Sequence, residues 1–390
     1  MKRVRLASTL QVFVVGGAFL LTGCANFFVK PNTGGTSGGS TGAGSVTSDY
    51  VYLINSNATV SEFVVGTGKL IAITGSPFAV ETPLSTAASI IVTPANSFAY
   101  VGGTGGILGY SIGTNGALTL TMSRGVTEQA NYSSLAVAPN GQYLLALDNL
   151  NNVIWVFSIN LSTGALTPVN ATYPLNVSAV TAPGRMIKIS PNSNVVAVAE
   201  GTGGDYIFAF NQSTGVLTPT FSVNAPPSGY TDLSVAFDPP SAHLFIGRGI
   251  TAAGNSQVLS YNLATTGVIG TLVGSYATGA APYAVLIDAT NTYAYTANRG
   301  DSTVSGYTVA SGALTAISGS PYASGGGTTA LVQDITRKYI LAAAAASTSG
   351  ADLTLYAFDL TVPGKLNSVA TSQNGSGVTG SIAMAATHPQ

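Results

Sequence analysis

The chain has 390 residues, a formal net charge of −1 and only 7% charged residues, well below the roughly 25% that is usual for soluble domains. Without the three cations of the first five residues, ten Lys and Arg face 14 Asp and Glu, a net charge of −4. This argues against a nucleic-acid partner, because such binding depends on clustered Lys and Arg. The 47 glycines and 18 tyrosines favour strands and turns over helices.

Residues 1–23 are predicted to be an export signal. Cations at positions 2, 3 and 5 precede an apolar run over residues 10–21, which is the pattern of a secretory leader. The sequence Leu-Thr-Gly-Cys at 21–24 resembles the bacterial lipoprotein box, which implies that Cys24 is the lipidated first residue of the mature chain. The alternative is an uncleaved N-terminal anchor, although the run is shorter than the roughly 20 residues of a spanning helix.

Residues 24–48 are predicted to hold the lipidated Cys24 and a flexible linker rich in Gly, Ser and Thr. The Gly, Ser and Thr residues are concentrated over 31–48, a stretch with too few apolar residues to bury, which is expected to behave as a coil. We therefore expect an exported protein that is lipid-anchored at the bacterial cell envelope. Ala25 stands where inner-membrane lipoproteins often have Asp, which favours the outer membrane.

Residues 49–390 contain a repeated unit. A turn of the form Thr-Gly-x-Leu, with small variations, recurs seven times, and its glycines are 45 to 52 residues apart. The glycines are Gly68, Gly116, Gly164, Gly215, Gly267, Gly312 and Gly364. A fixed period of this length is typical of propellers and solenoids.

Each unit contains four short segments with strand character. In one unit these are Ser134–Ala138, Tyr143–Leu147, Val153–Ile159 and Leu166–Val169. Runs of this length between turn residues predict strands, and four strands in about 50 residues predict one propeller blade. The sequence therefore predicts an all-β, seven-bladed β-propeller with four antiparallel strands per blade.

The two ends of the repeat region are predicted to share a blade. The last segment, 381–386, lacks the Tyr-rich strand that follows it in the other units, and the region begins with that strand at 50–55. Pairing these segments would close the ring and remove two open sheet edges. A single barrel or two sandwiches would explain the strands but not the sevenfold period.

The repeat resembles the lactonase-type, or YVTN, propeller unit. Its Tyr-Val-x-Asn and Val-x-x-Tyr strands have counterparts at Tyr293–Asn298 and Val304–Tyr307. The Gly-Ser-Pro-Phe element has counterparts at Gly75–Phe78 and Gly319–Tyr322. The Trp-Asp dipeptide of WD40 blades does not recur, since Trp155 is the only tryptophan.

The enzymes of this family include 6-phosphogluconolactonases and muconate cycloisomerases. The family's strand order puts the Pro-ended strand nearest the axis, so the resemblance implies a site at one mouth of the central channel. Their Gly-Pro-Arg-His and Asn-Glu motifs would place catalytic groups at Arg185 and Glu200. Their flanking motifs would place ligand-binding groups at Asp148 and at Arg248 or Arg299.

The sequence departs from this family pattern in several places. Met186 stands where the family has its histidine, and neither His243 nor His388 fits the motif. Arg299 lies in an Asn-Arg-Gly sequence one blade too late, and Arg248 is one residue short of the motif's register. These departures put lactone hydrolysis in doubt.

Two functional hypotheses remain. The first is a binding or scaffold propeller of the cell envelope, whose partner is a small lactone, a carbohydrate or an envelope protein. The second is a lactone hydrolase that acts through Glu200 and the arginines. The simplest alternative is that Arg185 and Glu200 form a structural ion pair. We expect no metal, no cofactor and no nucleic acid, and a monomer.

Overall fold

A computed structural model describes residues 49–125, 130–169, 172–175, 184–250, 256–346, 352–372 and 380–389. The predicted signal peptide, the linker and Cys24 lie outside these residues. The described part of the chain contains 31 β-strands and no helix. No segment of it forms a helix with the length and apolar character needed to cross a membrane.

The strands form seven antiparallel sheets, which are the blades. Blade 1 contains β1 (Tyr50–Asn55), β2 (Thr59–Gly66), β3 (Lys69–Ala72), β4 (Phe78–Ala79) and, from the far end of the chain, β31 (Ser381–Ala386). Blade 2 contains β5 (Thr86–Val92), β6 (Phe98–Thr104), β7 (Gly106–Ile112) and β8 (Leu118–Gly125). Blade 3 contains β9 (Tyr132–Val137), β10 (Tyr143–Asp148), β11 (Val153–Ile159), β12 (Leu166–Pro168) and β13 (Tyr173–Pro174).

The remaining blades repeat this order. Blade 4 contains β14 (Met186–Ile189), β15 (Val195–Ala199), β16 (Tyr206–Asn211) and β17 (Val216–Ser222). Blade 5 contains β18 (Tyr230–Phe237), β19 (His243–Ile250), β20 (Ser256–Leu263) and β21 (Ile269–Thr278). Blade 6 contains β22 (Pro282–Ile287), β23 (Tyr293–Asn298), β24 (Thr303–Ala310), β25 (Ala313–Ala316) and β26 (Tyr322–Ala323). Blade 7 contains β27 (Gly326–Gln333), β28 (Tyr339–Ala346), β29 (Leu353–Phe358) and β30 (Leu366–Ser372).

The first strands of the seven blades surround a common axis. Each lies beside the first strands of both neighbouring blades, in the closed order β31, β5, β9, β14, β18, β22, β27. The predicted sevenfold propeller is therefore confirmed. The predicted strand at 153–159 matches β11 to the residue, and the boundaries of the other three strands of that blade differ by at most two positions.

The ring closes as predicted from the two ends of the repeat region. Strand β1 pairs antiparallel with β31, and Val51 faces Ala386 while Leu53 faces Met384. The amide of Thr387 donates a further hydrogen bond of 3.0 Å to the carbonyl oxygen of Tyr50. The strands at the two ends of the propeller are thus joined within one blade, which leaves no open first-strand edge.

Apolar side chains fill the spaces between the blades. The buried residues group into seven clusters, and each cluster combines residues from two adjacent blades. The second strands contribute large, fully buried side chains such as Tyr52, Tyr100, Phe245 and Tyr295. Rings of this size bury a large apolar area, so the interfaces between blades are the core of the protein.

Candidate functional site

All five residues that the resemblance singles out lie on one face of the ring. We call it the upper face, where the first strand of each blade begins and the second strand ends. Arg185 precedes β14 and Glu200 follows β15, while Asp148 ends β10, Arg248 lies near the end of β19 and Arg299 follows β23. The two strands of each hairpin are antiparallel, which brings these positions to the same side.

Asp148 is committed to the turn that follows its own strand. Its side chain is fully buried, and its Oδ1 accepts hydrogen bonds from the amides of Asn131 (3.0 Å), Leu150 (3.1 Å) and Asn151 (3.3 Å). Its Oδ2 accepts a hydrogen bond of 2.7 Å from the side-chain amide of Asn151. A carboxylate that closes a turn in this way is typical of Asp, and both oxygens are already occupied.

Glu200 is held by a residue of the neighbouring blade. The side-chain amide of Asn152, in the loop after β10, donates a hydrogen bond of 3.2 Å to Oε2 of Glu200. Asn152 Oδ1 accepts a hydrogen bond of 3.1 Å from the amide of Gly184. Asn152 adopts a left-handed conformation with φ of 54°, which Asn tolerates better than most residues. The loop of blade 3 therefore fixes the carboxyl group of blade 4.

The carboxyl group of Glu200 has an unusual environment. Its side chain is 0% exposed, and Oε1 has no hydrogen-bond partner among the described residues. Burial raises the pKa of Glu200 to about 8, although the hydrogen bond from Asn152 lowers it in part. The group is therefore mainly a neutral acid at pH 7, because burial disfavours the charged form.

Two further buried acids lie beyond Glu200. Asp205 Oδ1 accepts a hydrogen bond of 3.1 Å from the amide of Glu200, and its Oδ2 has no partner among the described residues. Burial and the nearby charge of Asp232 raise the pKa of Asp205 well above its ordinary value. Asp232 lies on β18, and its backbone forms an isolated bridge with Gly201, next to Glu200.

Arg248 is clamped by Asp232. Arg248 Nε donates a hydrogen bond of 2.6 Å to Asp232 Oδ1, and Nη2 donates one of 2.8 Å to Oδ2. Arg248 also lines a groove of about 260 Å³ together with Phe221, on the fourth strand of blade 4, and Tyr261, on the third strand of blade 5. The guanidinium of Arg248 is thus engaged by Asp232 and makes no hydrogen bond or ion pair with Glu200 among the described residues.

The other two candidate arginines, Arg185 and Arg299, are exposed and belong to different blades, 4 and 6. Arg185 donates its backbone amide to the carbonyl oxygen of Ala199 at 2.7 Å and makes no ion pair with Glu200. The expectation of a structural Arg185–Glu200 ion pair is therefore wrong, because the carboxyl group bonds to Asn152 instead. Arg299 Nη1 donates a hydrogen bond of 2.6 Å to Tyr283 Oη, and its guanidinium lies 4.6 Å from the centre of that ring.

Neither histidine of the chain reaches the upper face. His243 begins β19, and its Nδ1 lies 2.7 Å from Asp238 Oδ2 in the hairpin at the opposite end of the strands. His388 follows β31, and its Nε2 lies 3.1 Å from the carbonyl oxygen of Val92. Across the described residues, no three His, Cys, Asp or Glu side chains are arranged to hold a metal ion.

Three residues of this network are not predicted from the sequence: Asn152, Asp205 and Asp232. Asp205 stands in a loop where an isolated aspartate is usually a turn residue, and only its contact with Glu200 shows its place in the network. Asp232 could have been found by writing the first strand of blade 5 against the second, because Asp232 and Arg248 are cross-strand partners. The signal for Asn152 is weak, since Asn is common in turns.

Comparison with known proteins supports the fold assignment. A family model described as lactonase, seven-bladed β-propeller, matches residues 114–231. A search of curated proteins found no match. A crystal structure of a protein from Lactobacillus plantarum is 18% identical with a TM-score of 0.67, covering 87% of this chain and 99% of that one.

Two further solved structures carry functional names. A protein of Bacteroides fragilis provisionally assigned as a 6-phosphogluconolactonase is 15% identical with a TM-score of 0.66, covering 87% of this chain and 98% of that one. The periplasmic gluconolactonase of Pseudomonas aeruginosa is 14% identical with a TM-score of 0.56, covering 70% and 84%. At this identity the likeness concerns the fold alone. The chain is thus a seven-bladed β-propeller, and residues 114–231 match the lactonase family of these propellers.

Proposed function

We propose that this protein is a lactonase-type propeller of the cell envelope that binds a ligand or partner and does not hydrolyse lactones. The observation that carries the proposal is the burial of Glu200, which is 0% exposed and is hydrogen-bonded to Asn152. A general base must come within hydrogen-bond reach of the water that it activates. The carboxyl group of Glu200 has no accessible surface at which bulk water or a lactone could approach it.

The protonation state of Glu200 supports the same proposal. With a pKa of about 8, Glu200 is protonated in most molecules at pH 7, and a protonated carboxyl group cannot take a further proton from water. The cationic groups do not complete a hydrolytic site either. Arg248 is engaged in two hydrogen bonds with Asp232, and no histidine lies on the upper face.

The envelope location is part of the proposal. Cys24 would carry the lipid, and residues 24–48 would join it to the propeller. We propose a monomer whose partner is a small lactone, a carbohydrate or an envelope protein, with the outer membrane as its site. Replacing Cys24 with Ala should move the protein from the membrane fraction to the soluble fraction of cells, and an unchanged distribution would exclude this anchor.

Lactone hydrolysis is the second candidate, and one observation favours it. Glu200 combines an unpartnered Oε1 with a pKa near the working range of a base, and strongly perturbed carboxyl groups often belong to active sites. Arg185 is exposed and directly precedes β14, the strand that pairs with β15. In this alternative Glu200 would activate water and Arg185 would stabilise the developing oxyanion.

One assay separates the two candidates. Residues 47–390 and a Glu200→Gln variant are tested for hydrolysis of a lactone panel that includes 6-phosphogluconolactone. We expect neither protein to exceed the background rate. Hydrolysis by the wild type that disappears in the variant would overturn the proposal and establish Glu200 as the base. Gln preserves the size of the side chain and can still accept a hydrogen bond from Asn152.

A further inference from the structure

One ionisable residue lies in an otherwise aliphatic ring around the axis. In each blade, the residue that directly follows the first strand donates its backbone amide to the carbonyl oxygen of the first residue of the second strand. Ser190 bonds to Val195 in this way, and Asp288 bonds to Tyr293. Two residues before this amide, all seven blades have an equivalent position. These positions are Ile91, Ala136, Lys188, Ala236, Leu286, Val332 and Ala385.

The register of the blades confirms that these seven positions correspond. Each pairs with the third residue of the second strand, and these partners are Tyr100, Leu145, Ala197, Phe245, Tyr295, Leu341 and Tyr52, in the same order. Six blades therefore set a small or aliphatic residue against a large one. Blade 4 reverses this arrangement, because Lys188 faces Ala197.

The exchange of sizes makes room for the lysine. Ala197 is fully buried and belongs to the cluster between blades 4 and 5. Lys188 lies on β14 directly across from it, so the aliphatic part of the lysine occupies space that a large side chain fills in the other blades. A leucine or methionine would fill the same space, so packing alone does not explain an ammonium group here.

The ammonium group of Lys188 has no counter-ion among the described residues. No ion pair or hydrogen bond involves its side chain there, and burial lowers its pKa. The residue is nevertheless partly exposed although it lies on an innermost strand, as are Ile91, Leu286 and Val332. Solvent-accessible space therefore exists inside the ring at this level. Because burial lowers the pKa of Lys188, this space hydrates the ammonium group only in part, and an incompletely hydrated charge without a counter-ion costs free energy.

We propose that Lys188 is the counter-ion of a small organic monocarboxylate that binds in the axial channel. A single ammonium group offers one positive charge, which matches a monoanion rather than a phosphate that needs several donors. Ile91, Leu286 and Val332 lie at the same level of the ring in blades 2, 6 and 7, and their aliphatic side chains match a hydrocarbon tail that extends across the channel from Lys188. The inference rests on the proposed binding function and names its ligand class, but the site is separate from Glu200 and the arginines of the upper face.

The first test compares three forms of the protein with residues 47–390: wild type, Lys188→Met and the control Lys69→Met. Lys69 is exposed at the start of the outer strand β3. Acetate, butyrate and benzoate are titrated at constant ionic strength, and binding is followed by calorimetry and by the melting temperature. We expect at least one of them to raise the melting temperature of the wild type and of Lys69→Met, because a ligand that binds the native state stabilises it.

Lys188→Met is expected to bind this carboxylate about tenfold more weakly or worse, since it lacks the charged donor. Without ligand it should melt above the wild type, because it removes an unpaired charge. Equal binding by Lys188→Met and wild type, or no binding of any of the three carboxylates to the wild type, would overturn the proposal. So would a melting temperature of Lys188→Met below that of the wild type in the absence of ligand.

A second measurement uses the wild type alone. Acetylation by acetic anhydride, followed by mass spectrometry, should be slowed at Lys188 by a saturating carboxylate and unchanged at Lys69. Equal rates at Lys188 with and without the carboxylate would contradict the site. Lactone turnover by the wild type would contradict the proposed function but would not change the carboxylate protection of Lys188. Failure of the proposed function and failure of the Lys188 site are therefore distinguishable.

Discussion

The hydroxyl of Tyr100 donates a hydrogen bond of 2.8 Å to the carbonyl oxygen of Gly164, which lies in the Thr-Gly turn of the next blade. Tyr52 makes the same bond to Gly116 at 2.8 Å, and Tyr295 makes it to Gly364 at 2.7 Å. The tyrosine of the second strand and the glycine of the turn are therefore two halves of one joint between neighbouring blades. This joint explains why a tyrosine of the second strand is matched by a turn glycine of the next blade in these three places.

A second aromatic ring completes the joint. Phe98, two residues before Tyr100, lies so close to Gly164 that a Cβ atom there would be 2.7 Å from its ring. Gly364 is in the same relation to Tyr293, and Gly312 to the ring of His243. His243 therefore serves as the aromatic packing residue of blade 5, which accounts for its position without a role in chemistry.

Replacing Tyr100 with Phe should lower the free energy of unfolding by about 1 kcal/mol, because one buried hydrogen bond is lost and its acceptor remains. Tyr230→Phe is the matched control, since the Tyr230 hydroxyl makes no hydrogen bond among the described residues and the side chain is partly exposed. Urea unfolding of both variants measures the difference. A Tyr100→Phe variant as stable as the control would mean that the joint contributes nothing measurable.

Gly164→Ala should be more destabilising than a change of backbone preference alone can explain. Gly164 has a φ of +72°, and the new Cβ would meet Phe98. We expect a loss of about 2–4 kcal/mol, combining the cost of the left-handed conformation with overpacking. Gly229→Ala isolates the first contribution, because Gly229 has a φ of +88° and nothing within 4 Å of the added Cβ. Equal losses in the two variants would exclude a clash with Phe98.

Arg248→Met should leave Asp232 as an unpaired buried charge and cost about 3–5 kcal/mol. Asp232 is fully buried and the arginine side chain is only 11% exposed, so solvent cannot replace the lost partner. The double variant Asp232→Leu with Arg248→Met should recover most of the loss, because it removes both charges. Calorimetry of the single and double variants measures this recovery. A double variant no more stable than Arg248→Met would contradict the account of the pair.

Stability should fall as the pH rises from about 5 to about 8. Burial raises the pKa values of Asp49 and Glu62 to about 7 and that of Glu200 to about 8, so the folded state binds protons that the unfolded state has already released. Under linkage the free energy of unfolding then decreases with pH across this interval. Urea midpoints at pH 5, 6, 7 and 8 measure the trend. Glu62→Gln should show a shallower slope than the wild type, and an identical slope would exclude Glu62 as a contributor.

The sequence was sufficient for the architecture because the features that define a blade are local. The turn glycines, the tyrosines and the short alternating runs lie within one unit, and the complementary segments at 50–55 and 381–386 predicted the closure. The site was less accessible, because its contacts join different blades. The Asn152–Glu200 hydrogen bond links residues 48 positions apart, and no motif in either segment indicates it.

The partners of Arg248 and Glu200 could not be predicted, because the sequence does not show how the strands and loops of the blades are aligned with one another. Arg185 and Glu200 were expected as an ion pair because they flank neighbouring strands, yet the loop of blade 3 supplies the partner of Glu200. Arg248 could be related to Asp232 only once β18 and β19 were aligned. Lys188 attracts no attention in the sequence, and it stands out only when the first strands of all seven blades are compared at one level.

The most direct test of the account is the pKa of Glu200 itself. The chain has only four glutamates, so ¹³C labelling of glutamate carboxyl groups gives a spectrum that can be assigned through the Glu200→Gln variant. We predict that the Glu200 signal titrates with a midpoint at about 8, as a buried acid held by Asn152. A midpoint near the ordinary value of 4.5 would show a solvated carboxylate, which would contradict its burial and return Glu200 to the candidates for a catalytic base.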